Sequence, residues 1–154
     1  MNPARLRWAL TWLCRLAVAL VFIFAAVPKL LDPAAFAQSI DNYRLLPSAW
    51  APYIALWVPP LELVIAAALL VGIGERGAAS IAGLMLVVFA VGIAQAIVRG
   101  IDIDCGCFGK ALESRASWLS VLRNVALTAA SAWVLWQPHA GFRPPESSPG
   151  TRAS

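Results

Sequence analysis

Two thiols separated by a single glycine are the residues best placed to do chemistry. They are Cys105 and Cys107, in the stretch Arg99-Gly100-Ile101-Asp102-Ile103-Asp104-Cys105-Gly106-Cys107-Phe108-Gly109-Lys110. Glycine accepts the backbone angles that closing so small a ring demands. A disulfide across one residue strains its geometry, and strained disulfides are more oxidising and more readily reduced. Such a bridge closes almost no chain, so it adds little entropic stability. The pair suits passing oxidising equivalents better than stapling a fold. Arg99 and Lys110 favour the thiolate while Asp102 and Asp104 oppose it, so the spacing does not say which sulfur attacks. Two other readings stay open: inert cysteines, and a metal site. Structural zinc wants four ligands, mostly Cys and His, and the chain holds 3 Cys and 1 His, so no zinc set forms. A two-thiolate copper(I) site is the remaining metal option.

A second set of candidates is charged residues inside apolar stretches: Arg15, Glu62 and Arg123. A charge at the centre of a membrane helix costs at least about 2.5–3.5 kcal/mol, so each should face inward and find a partner. Counted from the face that carries the first and third loops, Arg123 lies about seven residues deep and Glu62 about ten, roughly 4.5 Å apart in depth. The expectation is a Glu62–Arg123 pair, serving either to fix helix packing or to hold a polar ligand such as a quinone headgroup. Arg15 lies nearer the opposite face and is expected to snorkel. Pro59-Pro60 is expected to kink the second span and free backbone carbonyls near this pair.

The elements that position these groups are membrane helices. The chain has 154 residues, 60% hydrophobic and 13% charged, with a mean hydropathy of +0.74. Water-soluble domains carry about 45–50% apolar and about 25% charged residues, and a chain this short has no interior for the surplus. A soluble enzyme, a nucleic-acid-binding module and a disordered protein are all excluded. The partner implied first is the lipid bilayer. The net charge of +4 is spread without a basic run, which points to topology signals and headgroup contacts instead of nucleic acid.

Four stretches reach the roughly 20 residues that a span needs: about 8–27, 52–73, 77–98 and 116–137. The fold expected is all-α, a four-helix transmembrane bundle over residues 1–137, with residues 138–154 as a disordered tail rich in Pro, Gly and Ser. The Trp residues gather near span ends, as interfacial aromatics do. The first span is too long for a cleaved signal h-region and has Arg15 inside it. Cys14 should be a small packing residue, far in depth from Cys105. Lys and Arg divide evenly between the two sides, so charge does not decide topology; Arg5 and Arg7 beside the first span favour termini inside. In the first loop, Asp32 is a candidate N-cap and Pro33 suits the first helical position. Phe36, Ile40 and Tyr43 then share one face of a short surface helix, either capping the bundle or offering a lid or docking surface.

Several of these segments together resemble the MauE/DoxX family of redox-associated bacterial membrane proteins, its MauE branch in particular. They are Ala25-Ala26-Val27-Pro28-Lys29-Leu30 with Asp32-Pro33, then Tyr43-Arg44-Leu45-Leu46-Pro47, Glu62, and Asp102-Ile103-Asp104-Cys105-Gly106-Cys107-Phe108-Gly109. The resemblance implies a multi-pass protein of the bacterial inner membrane whose cysteine loop faces the periplasm and serves thiol–disulfide chemistry. It implies a periplasmic thiol protein or redox partner as client, of the kind matured for methylamine utilisation. It adds Lys29 and Asp32 to Asp102 and Asp104 as loop candidates. The architecture is also similar to the four-helix thiol oxidases of the DsbB and VKOR kind, which pass electrons to a quinone. This chain departs from them in having one cysteine pair and no Cys-x-x-Cys. The competing classes are a non-enzymatic assembly or docking subunit with a structural disulfide, and a metal-handling membrane protein.

Overall fold

The computed structural model describes residues 3–100 and 118–137. Among these the regular elements are all helical: α1 (Pro3–Leu31), α2 (Pro33–Asn42), a one-turn 3-10 helix (Ser48–Trp50), α3 (Ala51–Val71), α4 (Glu75–Val98) and α5 (Trp118–Trp136). α1, the 3-10 turn with α3, α4 and α5 are each long and apolar enough to cross a membrane. They are the four expected spans, and α2 is the expected short helix between the first two. Large apolar side chains such as Leu13, Phe24, Trp57, Val64, Leu84 and Leu119 lie on the outside. That pattern is costly in water and natural against lipid.

Inside the bundle the residues are small. Ala19, Ala26, Ala66, Ala79 and Ala82 are almost completely buried, and Gly83 faces Ser131 of α5 with room for only an ordinary contact. Lipid supplies no hydrophobic force between spans, so close approach through small residues is what holds them together. α1 packs mainly on α3 and α5, and α4 mainly on α5. Val18, Phe22, Ile65, Leu69, Leu86 and Leu127 fill the centre, with Cys14 half-buried against them. Cys14 is thus the packing residue expected of it.

Three local features set the frame. α1 continues to Leu31, past the boundary expected at residue 27. Pro28 lacks an N–H, but that leaves only the Phe24 carbonyl without its helical donor, and the Pro28 carbonyl still accepts from Asp32 N at 3.1 Å. Asp32 then breaks the helix and starts the next, its Oδ1 accepting from Ala35 N at 2.9 Å. α3 runs unbroken through Pro59 and Pro60. The missing N–H groups there deprive the Ala55 and Leu56 carbonyls of their usual donors.

α3 and α4 are joined by a tight turn over 72–74, with Gly72 at φ +81° and Gly74 at φ +63°. A non-glycine residue in that left-handed region costs about 1–2 kcal/mol. At Gly72 there is a second constraint: an added Cβ would sit 2.8 Å from Arg15 Nη2, whereas at Gly74 it would meet nothing within 4 Å. Gly72→Ala should therefore lower the thermal midpoint of the detergent-solubilised protein clearly more than Gly74→Ala. Equal shifts would mean that Arg15 is not held against the turn.

Candidate functional site

Charge inside a bundle this apolar must be compensated, and among the described residues two ion pairs do so. At the α3–α4 turn, Arg15 Nη1 donates to Glu75 Oε2 at 2.6 Å. Its Nε and Nη2 both donate to the Leu69 carbonyl, at 2.9 and 2.6 Å. Arg15 is 1% exposed, and its guanidinium lies 4.3 Å from the centre of the Trp12 ring. It does not snorkel as expected. It turns inward because α3 ends there with unsatisfied carbonyls and α4 begins there with Glu75, so one cation serves a helix C-terminus and an acid at a helix N-terminus. Glu75 was missed as a site residue because it reads as a loop acid; its position directly after Gly74 was the available signal.

About fourteen residues further along α1, roughly 21 Å, Lys29 Nζ donates to Glu62 Oε1 at 2.5 Å. Both side chains are 2% exposed. The Lys29 ammonium also faces two rings, Phe36 of α2 at 4.9 Å and Phe89 of α4 at 5.2 Å. Side chains on a helix lean toward its N-terminus. On antiparallel α1 and α3 this tips Lys29 back into the bundle and Glu62 toward the α2 end, so the two converge.

This corrects the expected Glu62–Arg123 ion pair. The carboxylate goes to Lys29, which the sequence placed in a loop because the first span was ended too early. Arg123 is nevertheless a neighbour. With Asn124 it lines the same small cavity as Lys29, Glu62 and Phe89, of about 20 Å³. Glu62 Oε2 and Asn124 Nδ2 are buried there without a hydrogen-bond partner. A space of this size has room for one water, which needs polar partners of this kind.

Of the remaining candidates, Asp32 is an N-cap. Cys105, Cys107, Asp102 and Asp104 lie outside the described residues. Among the described residues no group of three or more His, Cys, Asp or Glu is arranged to hold a metal ion. The apolar face expected on α2 is present: Phe36, Ile40 and Tyr43 look onto a second cavity between α3 and α4.

Four membrane-length helices, tied by ion pairs within the bundle and roofed at one end by a short capped helix, define a small multi-pass membrane protein. The chain belongs to the MauE family, whose description, methylamine utilisation protein MauE, matches residues 7–137. It is 40% identical over 119 residues to the methylamine utilization protein MauE of Paracoccus denitrificans, covering 77% of this chain and 64% of that one. The corresponding protein of Paracoccus versutus is 39% identical with the same coverage. That of Methylophilus methylotrophus is 39% identical over 79% of this chain and 65% of its own length. The chain thus spans just under two thirds of the length of these relatives. No solved structure matches it.

A buried ion pair broken from one side leaves an uncompensated charge, a loss of about 3–5 kcal/mol. Lys29→Met and Glu62→Gln should each destabilise the protein on that scale in a denaturation series. The double variant should recover a large part of the loss, since neither charge is then stranded. Additive losses in the double variant would show that the two groups are not coupled.

Proposed function

We propose that this protein supports thiol–disulfide exchange at the outer face of the bacterial inner membrane, through Cys105 and Cys107, in the maturation of a periplasmic protein for methylamine utilisation. The observation that carries the proposal is the pairing of MauE family membership with two thiols one residue apart on the segment between α4 and α5. That segment connects the end of α4 to the start of α5, the end of the bundle that α2 also occupies. Four apolar spans put the start of α1 and the end of α5 on one side, and Arg5 and Arg7 beside the first span favour the inner side for them.

The exchange follows ordinary thiol chemistry. A client thiolate attacks one sulfur of the Cys105–Cys107 disulfide, forming a mixed disulfide and releasing the other sulfur as thiolate. A second client thiolate then attacks the mixed disulfide. The client gains an S–S bond and loses two electrons and two protons, while Cys105 and Cys107 end as two thiols. A further turnover needs a two-electron acceptor to remake the pair.

Cys105→Ser and Cys107→Ser, each expressed in cells that make the client, should abolish client disulfide formation while the membrane protein accumulates normally. The readout is a thiol-alkylation gel shift of the client beside an immunoblot of the variant. Loss of the variant protein itself would instead indicate a structural disulfide. Bound copper or zinc that disappears in the same variants would indicate metal handling. Undiminished client oxidation would overturn the proposal.

A further inference from the structure

The Lys29 ammonium borders two spaces. Besides the small cavity shared with Glu62, Lys29 and Phe89 also line a larger cavity of about 330 Å³. It lies where α3 and α4, bound together by the tight turn at one end, leave a gap at the other. Ile54 and Val58 of α3 form one wall, Leu84 and Val88 of α4 another, and α2 lies over the gap with Ile40 and Tyr43. Its volume falls in the range of small-molecule sites, about 300–1,000 Å³, which are mostly apolar with a few placed polar groups.

The polar groups here are specific. An ammonium has three N–H donors, and Glu62 is the hydrogen-bond acceptor for Lys29 among the described residues. The ammonium lies 4.9 Å from the centre of the Phe36 ring and 5.2 Å from that of Phe89, and all three residues line the cavity. Ser39, also on the wall, donates its hydroxyl to the Ala35 carbonyl. Since Glu62 balances the charge of Lys29, the wall offers N–H donors with no net charge of its own. A neutral, flat, lipophilic molecule with a carbonyl oxygen matches that lining. A lipid acyl chain would leave the donors unused, and an anion would compete with Glu62 for Lys29.

We propose that this cavity binds the headgroup of a membrane quinone, with a ring carbonyl oxygen accepting from Lys29 Nζ. The binding is independent of the thiol reading, and its role rests on that reading. Coupled to it, the quinone is the two-electron acceptor for the reduced pair. Two thiols lose two electrons and two protons, the Cys105–Cys107 bond forms, and the quinone becomes the quinol.

The test uses the full chain carrying Cys105→Ser and Cys107→Ser, so that binding is read without thiol chemistry. The protein in lipid nanodiscs is titrated with decylubiquinone by calorimetry. Saturable one-to-one binding is expected. Gly92→Leu should weaken it at least tenfold by filling the cavity from α4, where the atoms nearest an added Cβ belong to Leu45 and Tyr43, at 3.8 Å or more. Ser39→Leu fills it from α2 and should do the same, which keeps the test decisive if one variant folds poorly. Absence of saturable binding, or unchanged binding in a folded cavity-filled variant, would overturn the proposal. Equal binding of decylbenzene would overturn it too, by showing a space for apolar chains alone. Any of these leaves the cysteine experiments standing, and their failure leaves the quinone site standing.

Discussion

A charge in hydrocarbon must be matched inside the protein, and α1 carries two cations that obey this rule at two separate levels. Arg15 meets Glu75 and the last carbonyls of α3, and Lys29 meets Glu62. Small-residue packing between α1 and α3 permits many registers, since alanines slide past one another at little cost. The two ionic contacts remove that freedom, because a shift by one turn would strand both cations. Geometry further along the chain follows. Gly72 must lack a side chain so that Arg15 can reach the turn, and the turn in turn directs α4 back along α3.

The same constraint explains why polar residues gather at one level near the α2 end. Glu62, Lys29, Arg123 and Asn124 surround a cavity of about 20 Å³ because each is cheaper beside the others than facing lipid. Phe36 and Phe89 complete the arrangement by presenting ring faces to the Lys29 ammonium, which a cation favours. A short helix capped by Asp32 thus shields a charge pair and overhangs an apolar cavity.

How much was legible in the sequence depended on the range of the interaction. The spans, the Asp32 cap, Pro33 as the first residue of α2 and the shared face of Phe36, Ile40 and Tyr43 all follow from neighbours a few positions apart. Inward placement of Glu62 was legible too, from the cost of its charge. The choice of partner was not. Ranking Glu62 and Arg123 by depth compares Cα positions, whereas side-chain lean carries Lys29 back by most of its own length. Ending the first span at residue 27 hid the fact that Lys29 is still helical. Arg15 was misjudged for a related reason: its distance to the near face is short, but the carbonyls ending α3 and the carboxylate opening α4 are nearer still. Both errors arise from long-range pairing, on which local periodicity carries no information.

The most direct measurement concerns the state and sidedness of the cysteine pair. Intact cells expressing the protein with Cys14→Ser would be labelled with a membrane-impermeant maleimide, before and after mild reduction, and the gel shift read. Labelling of Cys105 and Cys107 from outside only after reduction is the expected result, an external disulfide poised to accept electrons. Labelling without reduction would mean that the pair rests as thiols, and no labelling from outside under either condition would put the loop on the wrong side of the membrane. Either of those results would contradict a periplasmic thiol oxidant.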